Sequence, residues 1–381
     1  MDFYLSEEQK MVVQMVGNFT EKEVAPAASG MDRSGEFPKG LVKRLAEMGL
    51  MGAFIPAEYG GSGMDHLTYI LAMEEISKGW ASLGVIMTVN NSLVCDPILR
   101  FGTEDQKKRY LVPLAKGEWL GCYALTEPEA GSDAGAVATQ AKVVGGEYIL
   151  NGSKRFITNG KHADIAIAYA VTDPSRGKKG ISAFIVETAS PGFLVGKIED
   201  KMGLCGSDTA ELVFEDCRIP KENLIGAENE GFKIALATLD GGRIGIAAQA
   251  VGIAQGCLEA AIHYAKERRQ FGRPIAAFQA IQWMIADMKT EIDAARLLTH
   301  RAAWRRQRGE AVTAIAAQAK LYASEMANRI AYKAVQIFGG YGYIKEFPVE
   351  RFFRDARITT LYEGTSEIQR MVIARNLLQT H

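Results

Sequence analysis

Cysteine is scarce in this 381-residue chain and carries no pattern. Cys95, Cys122, Cys205, Cys217 and Cys257 lie far apart, with no C-x-x-C pair. That argues against a disulfide framework or a thiolate zinc site and for reduced core thiols of a cytosolic protein. Histidine is equally sparse: His66, His162, His263, His300 and His381 share no metal-ligand spacing, so no metal is expected. An excess of either charge is missing, with 44 Lys+Arg against 45 Asp+Glu and a net charge of -1. Nothing in that balance calls for nucleic acid or an anionic membrane as partner. No uncharged apolar run reads as long enough, or free enough of Gln and Gly, to span a bilayer. Residues 1–6 lead straight into a helical pattern without a signal or Arg-rich transit segment, so a cytoplasmic location of bacterial type is expected. Phosphate-binding loops are missing too. Gly177-Lys178-Lys179 lacks the spacing and Ser/Thr of a P-loop. Gly60-Gly61-Ser62-Gly63 lacks the strand and helix of a dinucleotide fingerprint and reads as a turn.

What the chain does have is apolar material, 48% of its residues, enough for a sizeable core and two or three domains. Ser6-Glu7-Glu8-Gln9 is a capping box, followed by Met11, Val12, Met15, Val16 and Phe19 at helical spacing. Val42, Leu45, Ala46 and Leu50 repeat the pattern up to Gly52. Residues 67–76 and 81–99 read as mostly apolar helices, and Thr103-Glu104-Asp105-Gln106 opens another that stalls near Pro113. Residues 1–120 are therefore expected to form an N-terminal α-helical domain. At about Trp119 the pattern changes to short β-rich runs, 143–150, 165–171, 181–186 and 210–214, punctuated by Asn151-Gly152, Asn159-Gly160, Asp173-Pro174 and Pro191-Gly192. Residues 121–225 read as a middle β-barrel or sandwich domain. Long helical segments at 232–268, 277–308 and 311–338 and a shorter terminal pair then make residues 226–381 a helical bundle of four-helix type. The fold class is thus α+β and multidomain.

One stretch stands out for chemistry, residues 351–369, R-F-F-R-D-A-R-I-T-T-L-Y-E-G-T-S-E-I-Q. Glu363 is followed by Gly364, Thr365 and Ser366, just before a helical pattern carrying Ile368, Met371, Val372 and Leu377. A loop there presents a carboxylate at a helix N-terminus, with flexible backbone and N–H donors beside it. That suits a general base with its own oxyanion donor; an acid that merely favours the helix dipole fits the same residues. Arg351, Arg354 and Arg357 fall on one stripe, expected at a surface or subunit contact.

Tyr362-Glu-Gly-Thr-Ser-Glu-Ile-Gln-Arg370 resembles the C-terminal signature of the acyl-CoA dehydrogenases, whose catalytic base is the Glu of the Y-E-G triplet. The helical, β, helical-bundle order is also that family's architecture, so the resemblance runs from end to end. It implies bound FAD, an acyl-CoA substrate, a homotetramer and transfer of electrons to an electron-transferring flavoprotein. Tyr123-Ala-Leu-Thr-Glu-Pro-Glu-Ala-Gly-Ser132 looks like the first flavin motif, which places Tyr123, Leu125, Thr126, Gly131 and Ser132 on the flavin, with Ser132 also on the CoA thioester. Lys154-Arg-Phe-Ile-Thr-Asn159 looks like the second, with Thr158 near the flavin N5 edge and Phe156 where the family usually has Trp. Phe keeps an aromatic face and loses the indole N–H.

The resemblance assigns Asp240 and Arg243 in Leu239-Asp-Gly-Gly-Arg243 to the CoA moiety, although spaced three apart they could simply pair. It assigns Arg268, Phe271 and Gln279, with Gln336, Gly339 and Gly340, to the FAD pyrophosphate and adenine of a neighbouring subunit, Thr365 and Glu367 to further flavin contacts and Gly364 to the substrate. Some branched- and long-chain relatives carry the base at the position of Gly242, so here Glu363 has no rival. The mechanism implied is removal of the α-proton by Glu363 while the β-carbon passes a hydride to the flavin. The thioester oxygen is held by a backbone N–H at Glu363 and the FAD ribityl chain.

The expected substrate is short, branched or small and cyclic, since T-V-N-N-S-L at 88–93 and L-D-G-G-R-I-G-I-A at 239–247 match short-chain members best. A dicarboxylic acyl group is disfavoured because residues 85–97, whose run Asn90-Asn-Ser-Leu-Val-Cys-Asp-Pro97 resembles the helix that closes the family's acyl pocket, offer it no Lys or Arg. Asp96 either faces solvent or caps the turn at Pro97. The alternatives are a same-fold enoyl-CoA reductase or acyl-CoA oxidase, and a non-catalytic CoA-binding relative.

Overall fold

Eight α-helices precede the first strand among the described residues, 4–378 of the computed structural model. The readings of residues 1–3 and His381 concern positions outside that range. The helices are α1 (Glu7–Phe19), α2 (Ala25–Ser34), α3 (Lys39–Glu47), α4 (His66–Gly79), α5 (Ala81–Thr88), α6 (Asp96–Phe101), α7 (Glu104–Gln106) and α8 (Val112–Lys116). Both capping boxes form: the Gln9 N–H donates to Ser6 Oγ at 3.2 Å, and the Gln106 N–H to Thr103 Oγ1 at 3.2 Å.

Two expected helix ends move. The chain does not stall at Pro113; it passes through to Lys116 and stops at Gly117, whose φ is 71°. A wide π-turn, Lys107–Leu111, precedes that proline. Similar turns, Thr20–Val24 and Val89–Cys95, precede Pro26 and Pro97. A wide turn shifts the carbonyl that a proline ring would otherwise strike, so each helix continues where a regular one would break. α3, in contrast, ends before Gly52, because Gly49 with φ 70° reverses the chain first.

The middle region is one mixed eight-stranded sheet: β1 (Gly121–Ala124), β2 (Gln140–Val144), β3 (Glu147–Thr158), β4 (Ile165–Val171), β5 (Ile181–Glu187), β6 (Phe193–Ile198), β7 (Thr209–Pro220) and β8 (Leu224–Ile225). The order is β6-β7-β3-β2-β4-β5-β8, with β1 added parallel to β4. β2 and β4 share only the Gln140–Val171 pair, so the sheet folds there into a sandwich. Ala166, Ala168, Phe184 and Val186 then share a buried cluster with Leu150, Ile157, Leu212 and Phe214. The other faces of β4 and β5, with Ile165, Ile167, Ile181 and Ile185, join the helical core. Burial on both faces explains why these two strands read as unbroken apolar runs, while β7 alternates. The run 143–150 is a hairpin, not one strand: Gly145 and Gly146, at φ 59° and 94°, reverse the chain between β2 and β3. β1 and β6 escaped the sequence reading, the first by its shortness and the second because Leu194 and Val195 are exposed.

The C-terminal region consists of α9 (Gly231–Glu267), the two-stranded β9 (Arg269–Gln270) and β10 (Arg273–Pro274), α10 (Gln279–Gln307), α11 (Thr313–Phe338), α12 (Val349–Ile358) and α13 (Ser366–Leu378). α9 is the axis: α10 and α11 pack along it, α13 packs on α11, and α4 of the N-terminal region joins them. The approach of α4 needs glycine. A Cβ on Gly252 would lie 2.4 Å from the Glu74 carbonyl, and one on Gly256 2.6 Å from that of Lys78.

Two segments, Ala81–Phe101 and Gly231–Glu267, are after all long and apolar enough to cross a membrane. Their most apolar windows are 94% and 83% buried inside the protein, so that apolarity serves the core. The arginine stripe also departs from its expected surface position. Arg351 is buried, its Nη2 donating to the Gly79 carbonyl at 3.3 Å, and Arg354 pairs with Asp32 at 2.8 Å. Arg357 alone of the three is exposed.

Candidate active site

The link from α12 to α13 carries Glu363 in the left-handed region, φ 52°, followed by Gly364 at 84°. Seven non-glycine residues among those described have positive φ, and Phe156 (58°) and Phe271 (50°) are among them. Such backbone costs of order 1–3 kcal/mol per residue and persists where the surroundings enforce it. At Glu363 it turns the side chain back toward α9. A Cβ at position 242 would sit 2.5 Å from Glu363 Oε2, so the absence of a side chain at Gly242 is what makes room for the carboxylate. Thr365 Oγ1 accepts from the Ile368 N–H at 3.3 Å, capping α13.

Glu363 Oε2 is buried and has no hydrogen-bond partner among the described residues. Burial pushes its carboxyl up to about 7, with Arg243 and then Lys320 acting in the opposite direction. A group poised there can hold or release a proton near neutral pH, as a general base must. Arg243 is buried and paired with Asp240 at 2.7 Å, and Asp240 also accepts from Thr313 Oγ1 at 2.6 Å. The three-residue spacing therefore does make an ion pair, and Arg243 Nε remains without a partner.

Glu363 opens onto a cavity of about 210 Å³. Of the residues predicted from sequence, Tyr123, Leu125, Thr126, Gly131, Ser132, Phe156, Thr158, Arg243 and Gly364 line it with Glu363. Phe156 is 65% exposed, its positive φ turning the ring out of β3 at a register irregularity between Lys154 and Ile157. The apolar end is made by Val85, Val89 and Leu93 from the α5 side and by Leu236, Leu239 and Ile246 from α9. Arg268, Gly339 and Gly340 lie elsewhere, around a second cavity of about 460 Å³, with the Arg268 guanidinium 5.2 Å from the Tyr341 ring centre. Gln336, Gln279 and Glu367 are exposed, and Phe271 is 92% exposed at the β9–β10 turn. Neither Asp240 nor Thr365 reaches the first cavity.

Asp96 neither faces solvent nor serves only as a cap. It is buried and ion-paired with Arg306 at 2.9 Å and Arg100 at 3.3 Å. The sequence reading missed three polar side chains around the site. Lys320, on α11, donates to the Gly364 carbonyl at 2.7 Å. Lys154 and Glu127 form a fully buried pair at 2.7 Å that ties the 123–132 loop to β3. A lone Lys on a face otherwise made of Ala316, Ala319, Ala323 and Ala327 was the available signal for Lys320. Lys154 and Glu127 both stood in the quoted motifs, but their contact is not local.

A helical, β and helical-bundle fold that closes on a buried carboxylate in a narrow apolar cavity has the form of an enzyme active site. The chain belongs to the acyl-CoA dehydrogenase family: residues 6–118 match its N-terminal domain, 122–217 its middle domain and 229–378 its C-terminal domain. It is 52% identical to the short-chain specific acyl-CoA dehydrogenase of Clostridium acetobutylicum, over 100% of both chains. Its fold matches butyryl-CoA dehydrogenase from Megasphaera elsdenii with a TM-score of 0.98 at 50% identity, covering 100% of both chains. A chain in the structure of the electron transferring flavoprotein of Acidaminococcus fermentans matches equally, TM-score 0.98 at 53% identity and 100% coverage of both.

Proposed function

We propose that the protein is an FAD-dependent dehydrogenase of short acyl-CoA thioesters, producing the 2-enoyl-CoA, with Glu363 as the catalytic base. The observation that carries this reading is the carboxylate itself, buried, raised to about 7 and aimed across Gly242 into an apolar cavity with no second carboxylate in its lining among the described residues. The cavity wall suits a flat, uncharged heteroaromatic ring. It offers the hydroxyls of Thr126, Ser132 and Thr158 and the unpacked face of Phe156, with no charge beyond Arg243 and Glu363. When bound, FAD supplies the acceptor for two electrons and the hydrogen leaving the β-carbon.

The chain's own residues do the rest. Glu363 takes the α-proton. Ser132, Arg243, Asp240 and Gly364 form the substrate side, and the Glu363 N–H is the donor assigned to the thioester oxygen. Leu93, Leu239 and Ile246 keep water from the carboxylate, which strengthens its interaction with the developing charge. Tyr123, Leu125, Thr126, Gly131, Ser132, Phe156, Thr158, Thr365 and Glu367 are assigned to the FAD of the same subunit. Arg268, Phe271, Gln279, Gln336, Gly339 and Gly340 are assigned to the FAD of a neighbour. That assignment needs a homotetramer, and the exposed Phe271, Trp283 and Trp304 on the bundle favour one. We assign the domains to 1–120, 121–225 and 226–381 and the location to the cytoplasm. The likeness to the Acidaminococcus chain favours an electron-transferring flavoprotein as acceptor.

The purified protein is expected to be yellow with bound FAD; a colourless preparation that takes up no FAD on reconstitution would refute the cofactor assignment. The substrate assignment is tested by kcat/KM over straight, branched, cyclic and dicarboxylic acyl-CoAs with a ferrocenium-type acceptor. A butyryl-sized group should be best. One methylene of misfit is worth about 1–3 kcal/mol, so neighbouring lengths should react more slowly. Glutaryl-CoA should be poorer still. Among the described residues the only cation lining the cavity, Arg243, is already paired with Asp240, and Arg306 and Arg100 are held by Asp96. A preference for glutaryl-CoA, or for chains much longer than butyryl, would overturn this assignment.

A further inference from the structure

Lys320 is 0% exposed, yet it is a cation on the inner face of α11. Its Nζ donates to the Gly364 carbonyl at 2.7 Å. The same carbonyl accepts from Gln369 Nε2 at 2.9 Å, and Gln369 Nε2 also reaches the Glu363 carbonyl at 3.0 Å. Two side chains from different helices thus hold the carbonyls of the two consecutive left-handed residues that aim the base. A neutral donor such as Gln369 suffices for that clamp. Burying an ammonium group for the same purpose is far more costly than burying an amide, so a cation here calls for a second role.

We propose that Lys320 is a positioning residue whose hydrogen bond to Gly364 aims the Glu363 carboxylate and whose charge keeps it ionised for proton abstraction. This rests on the reading of Glu363 as the base. The charged and titratable groups that act on the pair are few. Arg243 reaches both Glu363 and Lys320 from α9, Tyr123 from β1 and Tyr362 along its own loop face Glu363, and Glu367 of α13 and Glu325 of α11 act on Lys320. Burial brings Lys320 down to about 7, and the nearby Glu363 carboxylate is the main influence holding it up. Below about pH 7 the ammonium form of Lys320 predominates, and its charge favours the carboxylate form of Glu363. Removing the charge must move the loss of base activity to higher pH.

The test is the pH dependence of kcat/KM for butyryl-CoA with the FAD-loaded protein, as wild type, Lys320→Gln, Lys320→Met and Lys320→Arg. Gln keeps a donor to Gly364 without the charge, Met removes both, and Arg keeps the charge. The acid limb should move up by roughly one unit or more in Gln and Met, as expected for loss of a nearby opposite charge in a buried site. Arg should leave it at or below the wild-type position, and Met should also lower the rate at high pH because the loop is no longer held. An unmoved limb in the Gln variant overturns the proposal, whatever happens to kcat. If the neutral variants do not accumulate as folded flavoprotein, Arg decides, because an upward shift with the charge retained contradicts it equally. Failure of the wild type to oxidise any acyl-CoA would refute the functional reading, and that outcome is separate from a wild type that works with an unmoved variant limb.

Discussion

Glu363→Gln should lower kcat/KM for butyryl-CoA by at least ~10² to 10⁴-fold, the usual cost of losing a general base, while FAD content and acyl-CoA binding stay close to wild type. Gln has almost the same shape and cannot accept the α-proton. The loss should be at the upper end or beyond, because no other carboxylate lines the cavity and position 242 is glycine. Placing Gly242→Glu in the same background should restore part of the rate. A Cβ there falls 2.5 Å from where Glu363 Oε2 lies, so a carboxylate on α9 can reach the same volume. The wild type would not tolerate that side chain without moving Glu363, hence the rescue belongs to the double variant. Retention of most of the activity by Glu363→Gln would show that the base is elsewhere.

Lys154→Met should be the most destabilising single change near the site. The Lys154 ammonium is 0% exposed and donates to Glu127 Oε1 at 2.7 Å, the Tyr169 carbonyl at 2.6 Å and the Leu125 carbonyl at 3.3 Å. Glu127 in turn accepts from the Ala138 and Thr139 N–H groups at 2.7 and 3.1 Å. Burial lowers Lys154 to about 8, with Glu127 opposing the shift, so the pair is charged at neutral pH. Met fills the space and leaves a buried carboxylate without its counter-ion, which costs about 3–5 kcal/mol. The Arg155 N–H bonds the Thr126 carbonyl at 2.8 Å beside this pair, so both cavity-lining loops should loosen together. Thermal unfolding and FAD retention measure the effect. Glu127→Gln added to Lys154→Met should recover part of it, since the stranded charge is then gone. A Lys154→Met protein with wild-type stability and flavin content would show that the pair contributes nothing there.

The large-scale order was legible because it is written in period. Helical spacing, short apolar runs and glycine punctuation follow from local chain geometry, and they place the three regions without any knowledge of contacts. The turn that carries Glu363 was legible for a related reason, since a Gly-Thr-Ser break before a helical run needs a special backbone, whereas the role of its carboxylate rested on the family resemblance. What stayed hidden depends on which element packs on which. Pro113 reads as a stop until the π-turn before it is seen. Arg351 reads as surface until α12 is seen packed against α9 and Gly79. No run reads as long enough, or free enough of Gln and Gly, to span a bilayer, yet 81–101 and 231–267 are, and the glycines of α9 are where α4 comes close. Lys320 and the Lys154–Glu127 pair are the sharpest cases. Their neighbours in sequence do not reveal the partner, which lies 44 residues from one and 27 from the other.

The most direct measurement is anaerobic mixing of the FAD-loaded wild type and Glu363→Gln with butyryl-CoA, following the visible flavin absorbance and the enoyl-CoA formed. The wild type should lose its flavin colour within a single turnover, with one enoyl-CoA per flavin reduced. Glu363→Gln should show only the small spectral change of binding and keep its colour. Bleaching of the variant at the wild-type rate, or a wild type that binds butyryl-CoA and never bleaches, would contradict the assignment of Glu363 as the base of a short-chain acyl-CoA dehydrogenase.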